Sequence, residues 1–182
     1  QCGHEGCVKL LLEANANVDQ PPNDGVTSLI AASQNGHEGC ARLLLEANAS
    51  FDQANNDGAT SLTVASANGN EPCVKLLLEA KASVDQAIEY GVTSLHGASM
   101  KGHEPCVKLL LEAGASVDHE DGDGDRSLKM ASQNGHEGCV KLLLEAKAGV
   151  SLADVGGRTS LCVASQNCHE SCVKLLLEAK AS

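Results

Sequence analysis

The chain has 182 residues, a formal net charge of -11 and 42% hydrophobic residues, yet only 1% aromatic residues: one Tyr, one Phe and no Trp. With 24 acidic against 13 basic residues, it lacks the clustered cations that phosphate contacts need and the rings on which bases stack, which excludes a nucleic-acid surface. No apolar run approaches the roughly 18 residues of a membrane span, and the scarcity of rings leaves Leu, Val, Ala and Cys to build the core.

The first element in the chain is a helical stripe around Cys7 that runs into Leu10-Leu11-Leu12-Glu13. Cys7 returns as Cys40, Cys73, Cys106, Cys139 and Cys172, 33 residues apart each time, and the Leu-Leu-Leu-Glu block returns with it. A fixed period of this size is the signature of a stacked array. From Asp24 the first complete unit can be read. Asp24-Gly25 carries turn chemistry, Thr27 is an N-cap, and Ser28 to Asn35 forms a short helix with Leu29 and Ala32 on one face and Ser33 and Gln34 turned elsewhere. Gly36 ends that helix in the left-handed region. A second helix begins near Glu38, a start that Pro72 and Pro105 mark in later copies, because Pro fits only in a first turn. Cys40, Leu43, Leu44 and Ala47 form its apolar stripe, while Glu38, Arg42 and Glu46 form a solvated face. Thr27-Ser28-Leu29 recurs as Thr60-Ser61-Leu62, Thr93-Ser94-Leu95, Arg126-Ser127-Leu128 and Thr159-Ser160-Leu161.

The expected organisation is therefore one solenoid over residues 1–182: a partial first unit with only its second helix at 1–23, full units at 24–56, 57–89, 90–122 and 123–155, and a last unit without its trailing loop at 156–182. Neither helix of a unit is long enough to stand alone, so neighbours must stack and share a core. At about 5.5 units the ends fall inside the repeat without polar caps. The chain thus reads as a window on a longer array, or on one whose ends partners cover.

The unit length, Gly25-Val26-Thr27-Ser28-Leu29, the Gly36-His37 corner and Leu43-Leu44-Leu45-Glu46-Ala47 together resemble ankyrin repeats, over essentially the whole chain. The family's Thr-Pro-Leu-His motif appears here as Thr-Ser-Leu-X, with its His only at His96. Gly after the second helix survives only as Gly114, with Asn15, Asn48, Lys81, Lys147 and Lys180 at the other copies; Lys in a left-handed site costs roughly 1 kcal/mol. The resemblance implies an all-α solenoid of stacked antiparallel helix pairs with projecting β-hairpin-like loops. It also implies a concave face of loops and first helices that binds other proteins.

Differences among the copies concentrate in the turns and in one first-helix column, Ile30, Thr63, His96, Lys129 and Cys162. Variation on that edge suggests a recognition surface, against the plainer account that loops drift after duplication. The candidate protein-binding residues are Asp24, Val26, Asn56, Asp57, Glu89, Tyr90, Val92, Met100, Lys101, Asp121, Asp123, Asp125, Lys129 and Arg158. Tyr90, Met100 and Lys101 form the preferred contact cluster, since exposed Tyr is a favoured anchor.

Other chemistry is weakly supported. His37 and Cys40 supply two metal ligands where a structural site wants four, and neighbouring copies lie too far apart to share a metal or form a disulfide. The periodic cysteines read as small core hydrophobes, and the corner His as a backbone hydrogen-bonding residue. Asp121, Asp123 and Asp125 imitate the start of a calcium loop, but Arg126 and Ser132 occupy places where that loop needs Gly and Glu. Cys162, Cys168, His169 and Cys172 are a denser group, and Cys2 has no visible partner. An odd cysteine count without a framework favours a reducing compartment inside the cell, the cytoplasm before an organelle.

The sequence thus predicts a non-catalytic interaction module or scaffold with no cofactor. Its partner is a protein, within a large complex or alone, and neither nucleic acid, membrane insertion nor a small-molecule substrate is expected. The rivals are a constitutive subunit held in a larger assembly by its ends and edge, and a metal- or redox-responsive module using the terminal cysteines.

Overall fold

The computed structural model describes residues 3–180; Cys2 lies outside them. Among the described residues there are eleven α-helices. Six are nine-residue helices: α1 (Glu5–Glu13), α3 (Glu38–Glu46), α5 (Glu71–Glu79), α7 (Glu104–Glu112), α9 (Glu137–Glu145) and α11 (Glu170–Glu178). Between them lie the shorter α2 (Ser28–Gln34), α4 (Ser61–Ala67), α6 (Ser94–Lys101), α8 (Ser127–Gln133) and α10 (Ser160–Gln166). The short helices pack on one another in sequence as one layer, and the long helices do so as a second. Each short helix also packs on the long helix that follows it. The result is an all-helical solenoid of two layers.

Each short helix starts where an extended residue supplies a cap. Thr27 Oγ1 accepts the Ile30 N–H at 3.2 Å; Thr60 and Thr63 exchange reciprocal bonds, the Thr60 N–H donating to Thr63 Oγ1 at 2.8 Å. Arg126 makes no such side-chain cap. Each helix ends in a paired return bond of the Schellman type. At the corner of α2, the His37 N–H reaches Ala32 O at 2.9 Å and the Gly36 N–H reaches Ser33 O. The long helices close likewise: the Ala49, Ala82, Ala115 and Ala148 N–H groups bond Leu44, Leu77, Leu110 and Leu143 O. The residue at the turn has positive φ throughout, including Asn48, Lys81 and Lys147. Each of those Ala–Leu pairs is buried in the core.

The buried stripe of the long helix differs from the expected one. In α3 it runs Cys40-Ala41-Leu44, and in α5, α7 and α9 it runs Cys-Val-Leu. Leu43 and Ala47 are only half-buried, because the long helix faces both its own short helix and the next long helix, which turns the stripe by one residue. Ser33 is a second correction. It, Ser66, Ser99 and Ser132 are fully buried, as are Ser61, Ser94, Ser127 and Ser160. Small hydroxyl residues line both flanks of the short helices, where neighbours approach closely. Together with Ala32, Ala65, Ala98, Ala131 and Ala164 they account for a closely packed core with little aromatic bulk. Cys7 does not join the buried cysteine column. It is exposed, since among the described residues no short helix covers α1.

Candidate functional site

The turns that precede the short helices project as hairpin-like tips. In each, a Gly N–H closes on the residue three before it: Gly58 on Asn55, Gly91 on Ile88, Gly124 on Asp121 and Gly157 on Asp154. A second bond joins the two arms, as from the Asn55 N–H to Ala59 O at 2.9 Å and from the Asp121 N–H to Asp125 O at 3.0 Å. Where the first turn residue is Asn or Asp, its side chain repeats the closure. Asn55 Oδ1 accepts the Asp57 and Ala59 N–H groups, Asp121 Oδ1 those of Asp123 and Asp125, and Asp154 Oδ1 those of Gly156 and Arg158. Asp121 thus closes its own turn with one carboxylate oxygen, and the Asp125 carboxylate pairs with Lys129, so the two do not form a cation loop. Neighbouring tips are joined in turn: Asp24 O accepts the Asn56 N–H at 3.2 Å, Tyr90 O that of Gly122 at 2.6 Å, and Asp123 O that of Val155 at 3.1 Å.

At the opposite end of each short helix, the corner side chain bonds the preceding helix pair. His103 Nε2 lies 3.2 Å from Ala67 O, His136 Nε2 3.0 Å from Met100 O, and His169 Nε2 3.1 Å from Gln133 O. A ring nitrogen facing a carbonyl must carry the proton and donate. Asn70 does the same with its amide, donating to Ser33 O and Gln34 O. These rings sit on the preceding corner Gly, where a Cβ on Gly69, Gly102 or Gly135 would come within about 2.5 Å of the imidazole. The corner His is a backbone donor, as its spacing suggested, and it acts between pairs rather than within one.

The variable first-helix column is buried. Ile30, Thr63, His96 and Lys129 are all covered, and only Cys162 is exposed. Each covered member makes a different contact. His96 accepts the Thr93 N–H on Nδ1 at 3.0 Å, which leaves Nε2 to donate to His119 O at 3.0 Å. Burial lowers its pKa below the usual imidazole value. Lys129, expected on the contact edge, is 3% exposed; it pairs with Asp125 and, at 2.6 Å, with Asp154. Asp154 also receives Arg158 Nε at 2.8 Å. These donors, Lys129 first, hold its carboxyl below the usual carboxylate range. Variation along this column is thus internal packing between pairs, not a displayed surface.

The buried thiols are poor ligands and nucleophiles, because burial raises their pKa, to about 11 for Cys106 and about 12 for Cys139. In the last pair Cys172 faces the core while Cys162 and Cys168 face solvent. No group of three potential metal-binding side chains converges among the described residues. None of their helices is long and apolar enough to cross a membrane.

A family model described as ankyrin repeats in three copies matches residues 1–55, 47–121 and 95–182. The chain belongs to the ankyrin repeat family. No curated protein matches it. Members of this family are in general protein-interaction modules, so the tips and the short-helix layer are the surfaces to compare with the candidate residues. Asp24, Asn56, Asp57, Glu89, Tyr90, Met100, Lys101, Asp123 and Arg158 are exposed on this ankyrin array, and Val26, Val92, Asp121 and Asp125 are half-buried. Tyr90 does not cluster with Met100 and Lys101. It lies ahead of α6 and they lie at its far end, about 10 Å away along the helix axis. Sequence reasoning missed Val155, which is 82% exposed at a tip; its turn was read only as variable.

A second missed feature is a ladder of aspartates. Asp19 accepts the Ser50 N–H and hydroxyl at 2.8 and 2.9 Å, and Asp52 does the same for Ser83 at 2.9 and 2.6 Å. Asp85 and Asp118 accept the Ser116 and Gly149 N–H groups. The signal was present as an Asp at every 33rd residue from 19 to 118.

Proposed function

We propose that the chain is a non-catalytic module that binds a protein partner through its turn tips and the exposed side of its short helices. The observation that carries this reading is a contrast between surfaces. The long-helix layer repeats nearly the same exposed residues from copy to copy, whereas the tips display Asp24, Asp57, Tyr90, Asp123 and Val155 on one regular hydrogen-bonded frame. Groups that could do chemistry are already engaged: corner imidazoles donate to carbonyls, His96 uses both nitrogens, and Asp154 is held by Lys129 and Arg158. Core thiols that serve as apolar filler also fit a reducing, intracellular setting.

A second reading, a subunit held in a larger assembly, is favoured by one observation. The outermost long helices expose Leu10, Leu11 and Leu177, which further protein would cover. A photo-crosslinking amino acid placed at Tyr90, Asp123, Leu11, Leu177 and Lys75 in the native host separates the two. The module reading expects crosslinks to a partner from Tyr90 and Asp123. Crosslinks from Leu11 and Leu177 alone support the assembly reading, and crosslinks from Lys75 alone, on the long-helix layer, refute both.

A further inference from the structure

We propose that the tips ahead of α6, α8 and α10 form a docking edge for an extended basic segment of a partner protein, one with an apolar residue on each side of its cationic stretch. This rests on the interaction-module reading and names the partner's chemistry. The three tips are one continuous row, because Tyr90 O accepts the Gly122 N–H and Asp123 O accepts the Val155 N–H. Tyr90 also lies close to Gly122, where an added Cβ would come 3.3 Å from Tyr90 O and 3.5 Å from Tyr90 Cβ.

The apolar part of the edge is Tyr90 and Val155. Both are 82% exposed, more than any other large hydrophobic side chain among the described residues. Tyr90 is also strained. Its φ is 60°, whereas Asp24, Asp57, Asp123 and Gly156 at the equivalent place do not have positive φ. The left-handed region disfavours an aromatic residue, and exposed as it is, Tyr90 returns little burial. Strain and exposure together at one residue point to contact with another molecule.

The polar part is acidic. The cations of this stretch are held by acids of the same stretch: Arg126 by Glu120, Lys129 by Asp125 and Asp154, and Arg158 by Asp154. Among the described residues that leaves Glu89, Asp121 and Asp123 without a compensating cation between and beside the two apolar tips. A partner with cations there gains modestly from each exposed pair, with strong salt dependence, and its apolar residues supply most of the affinity. A second copy of this chain, at a net charge of -11, is repelled from the edge, as is a nucleic acid. Successive helix pairs stand about 8–10 Å apart, so Tyr90 and Val155 are separated by about 16–20 Å, which an extended chain spans in about five or six residues.

The test uses a fluorescein-labelled peptide, Leu-Ser-Lys-Lys-Arg-Ser-Leu, with two controls that replace its three basic residues by Glu or its two Leu by Ser. Binding to the full chain is read by anisotropy at low and moderate salt. The basic apolar peptide is expected to bind, both controls to bind at least about tenfold more weakly, and affinity to fall as salt rises. Tyr90→Ser and Val155→Ser each reduce affinity about tenfold. Glu89→Gln with Asp123→Asn reduces it and flattens the salt dependence, and Leu177→Ser on the long-helix layer leaves it unchanged. Helical circular dichroism confirms that each variant is folded. Absence of binding, equal binding of the Glu control, or indifference to the tip substitutions overturns the proposal. If the peptide fails while crosslinks from Tyr90 and Asp123 still reach a partner, the partner chemistry is wrong and the module reading stands. If those crosslinks are also absent, the module reading falls.

Discussion

Replacing Gly102 by Ala tests whether the corner is an interlock between helix pairs or merely a helix stop. Gly102 has φ +77°, and a Cβ there would lie 2.5 Å from His136 Nδ1 and 2.7 Å from Cε1. Two costs follow. The left-handed conformation costs Ala about 1–2 kcal/mol. The displaced imidazole also gives up its 3.0 Å bond to Met100 O, worth about 1 kcal/mol. Gly102→Ala is therefore expected to destabilise by about 2–3 kcal/mol. Gly114 is the internal control, since it has φ +88° and nothing within 4 Å of an added Cβ. Gly114→Ala should cost only the conformational part, about 1–2 kcal/mol. The native chain contains a related experiment: Cys168 occupies the same corner place at φ 59°, where it is exposed.

The decisive measurement is a double-mutant cycle of Gly102→Ala with His136→Ala, read by urea denaturation with far-UV circular dichroism. In the His136→Ala background the cost of Gly102→Ala should drop to about 1–2 kcal/mol, giving a coupling of about 1 kcal/mol. A solenoid can unfold in parts, so amide exchange in α6 and α9 should show the loss centred on that junction. If Gly102→Ala costs the same with and without the imidazole, or no more than Gly114→Ala, the ring does not rest on that glycine and the interlock is wrong.

Lys81 and Lys147 have φ 70° and 66°. Lys81→Gly and Lys147→Gly should each raise stability by about 1 kcal/mol, seen as higher urea midpoints; unchanged midpoints would mean the native lysines relax this strain. Asp52→Ala removes both bonds to Ser83 and should lower stability by about 1–2 kcal/mol, with faster amide exchange at Ser83 as the local reporter; protection at Ser83 that survives would refute the staple. His96 titrates below its unfolded value because burial disfavours the imidazolium. The unfolded chain thus takes up a proton below about pH 6.5 that the fold refuses, so stability is full above that pH and falls as the pH drops from there toward the folded pKa. Groups facing this ring are His119 and Asp121. In His96→Ile, which copies the buried Ile30 of the same column, that part of the acid loss should vanish; parallel losses between pH 7 and pH 5 in both chains would refute it.

The period, the helix pairs and the corner chemistry were legible in the sequence because each is written many times over. Thr27, Gly36, His37 and Pro72 act through local backbone rules that one unit states and other units restate. Two of the corrected positions have a common cause. Ser33 and Lys129 are polar, and a polar residue on a short helix reads as solvent-facing when the helix is considered alone. In the solenoid both flanks of a short helix are covered, so hydroxyls such as Ser33 and Ser66 pass as small residues. Lys129 is admitted because Asp154, 25 residues later, arrives with a carboxylate. That pairing is between neighbouring copies and has no counterpart elsewhere in the array, so repetition could not reveal it. The aspartate ladder could have been found, since its period is the array's own.

These contacts change what variation between copies means. In an array of near-identical long helices, apolar packing alone cannot tell one neighbour from another, because every Cys-Val-Leu stripe fits every other. The column Ile30, Thr63, His96 and Lys129 differs at each step: Ile30 is buried with no polar group to satisfy, whereas Thr63 answers to a reciprocal cap, His96 to a carbonyl and Lys129 to a carboxylate. Lys129 beneath a tip without Asp154 would be a buried cation left with Asp125 alone, having lost the more deeply buried of its two carboxylates, which is disfavoured. Likewise His96 needs a carbonyl at the place of His119 O. The variable column thus favours one order of stacking and opposes misdocked neighbours, so its diversity belongs to assembly of the fold. Diversity at the tips has no such internal use. Tyr90 and Val155 are instead 82% exposed, and it is this contrast, rather than variability as such, on which the proposed docking edge rests.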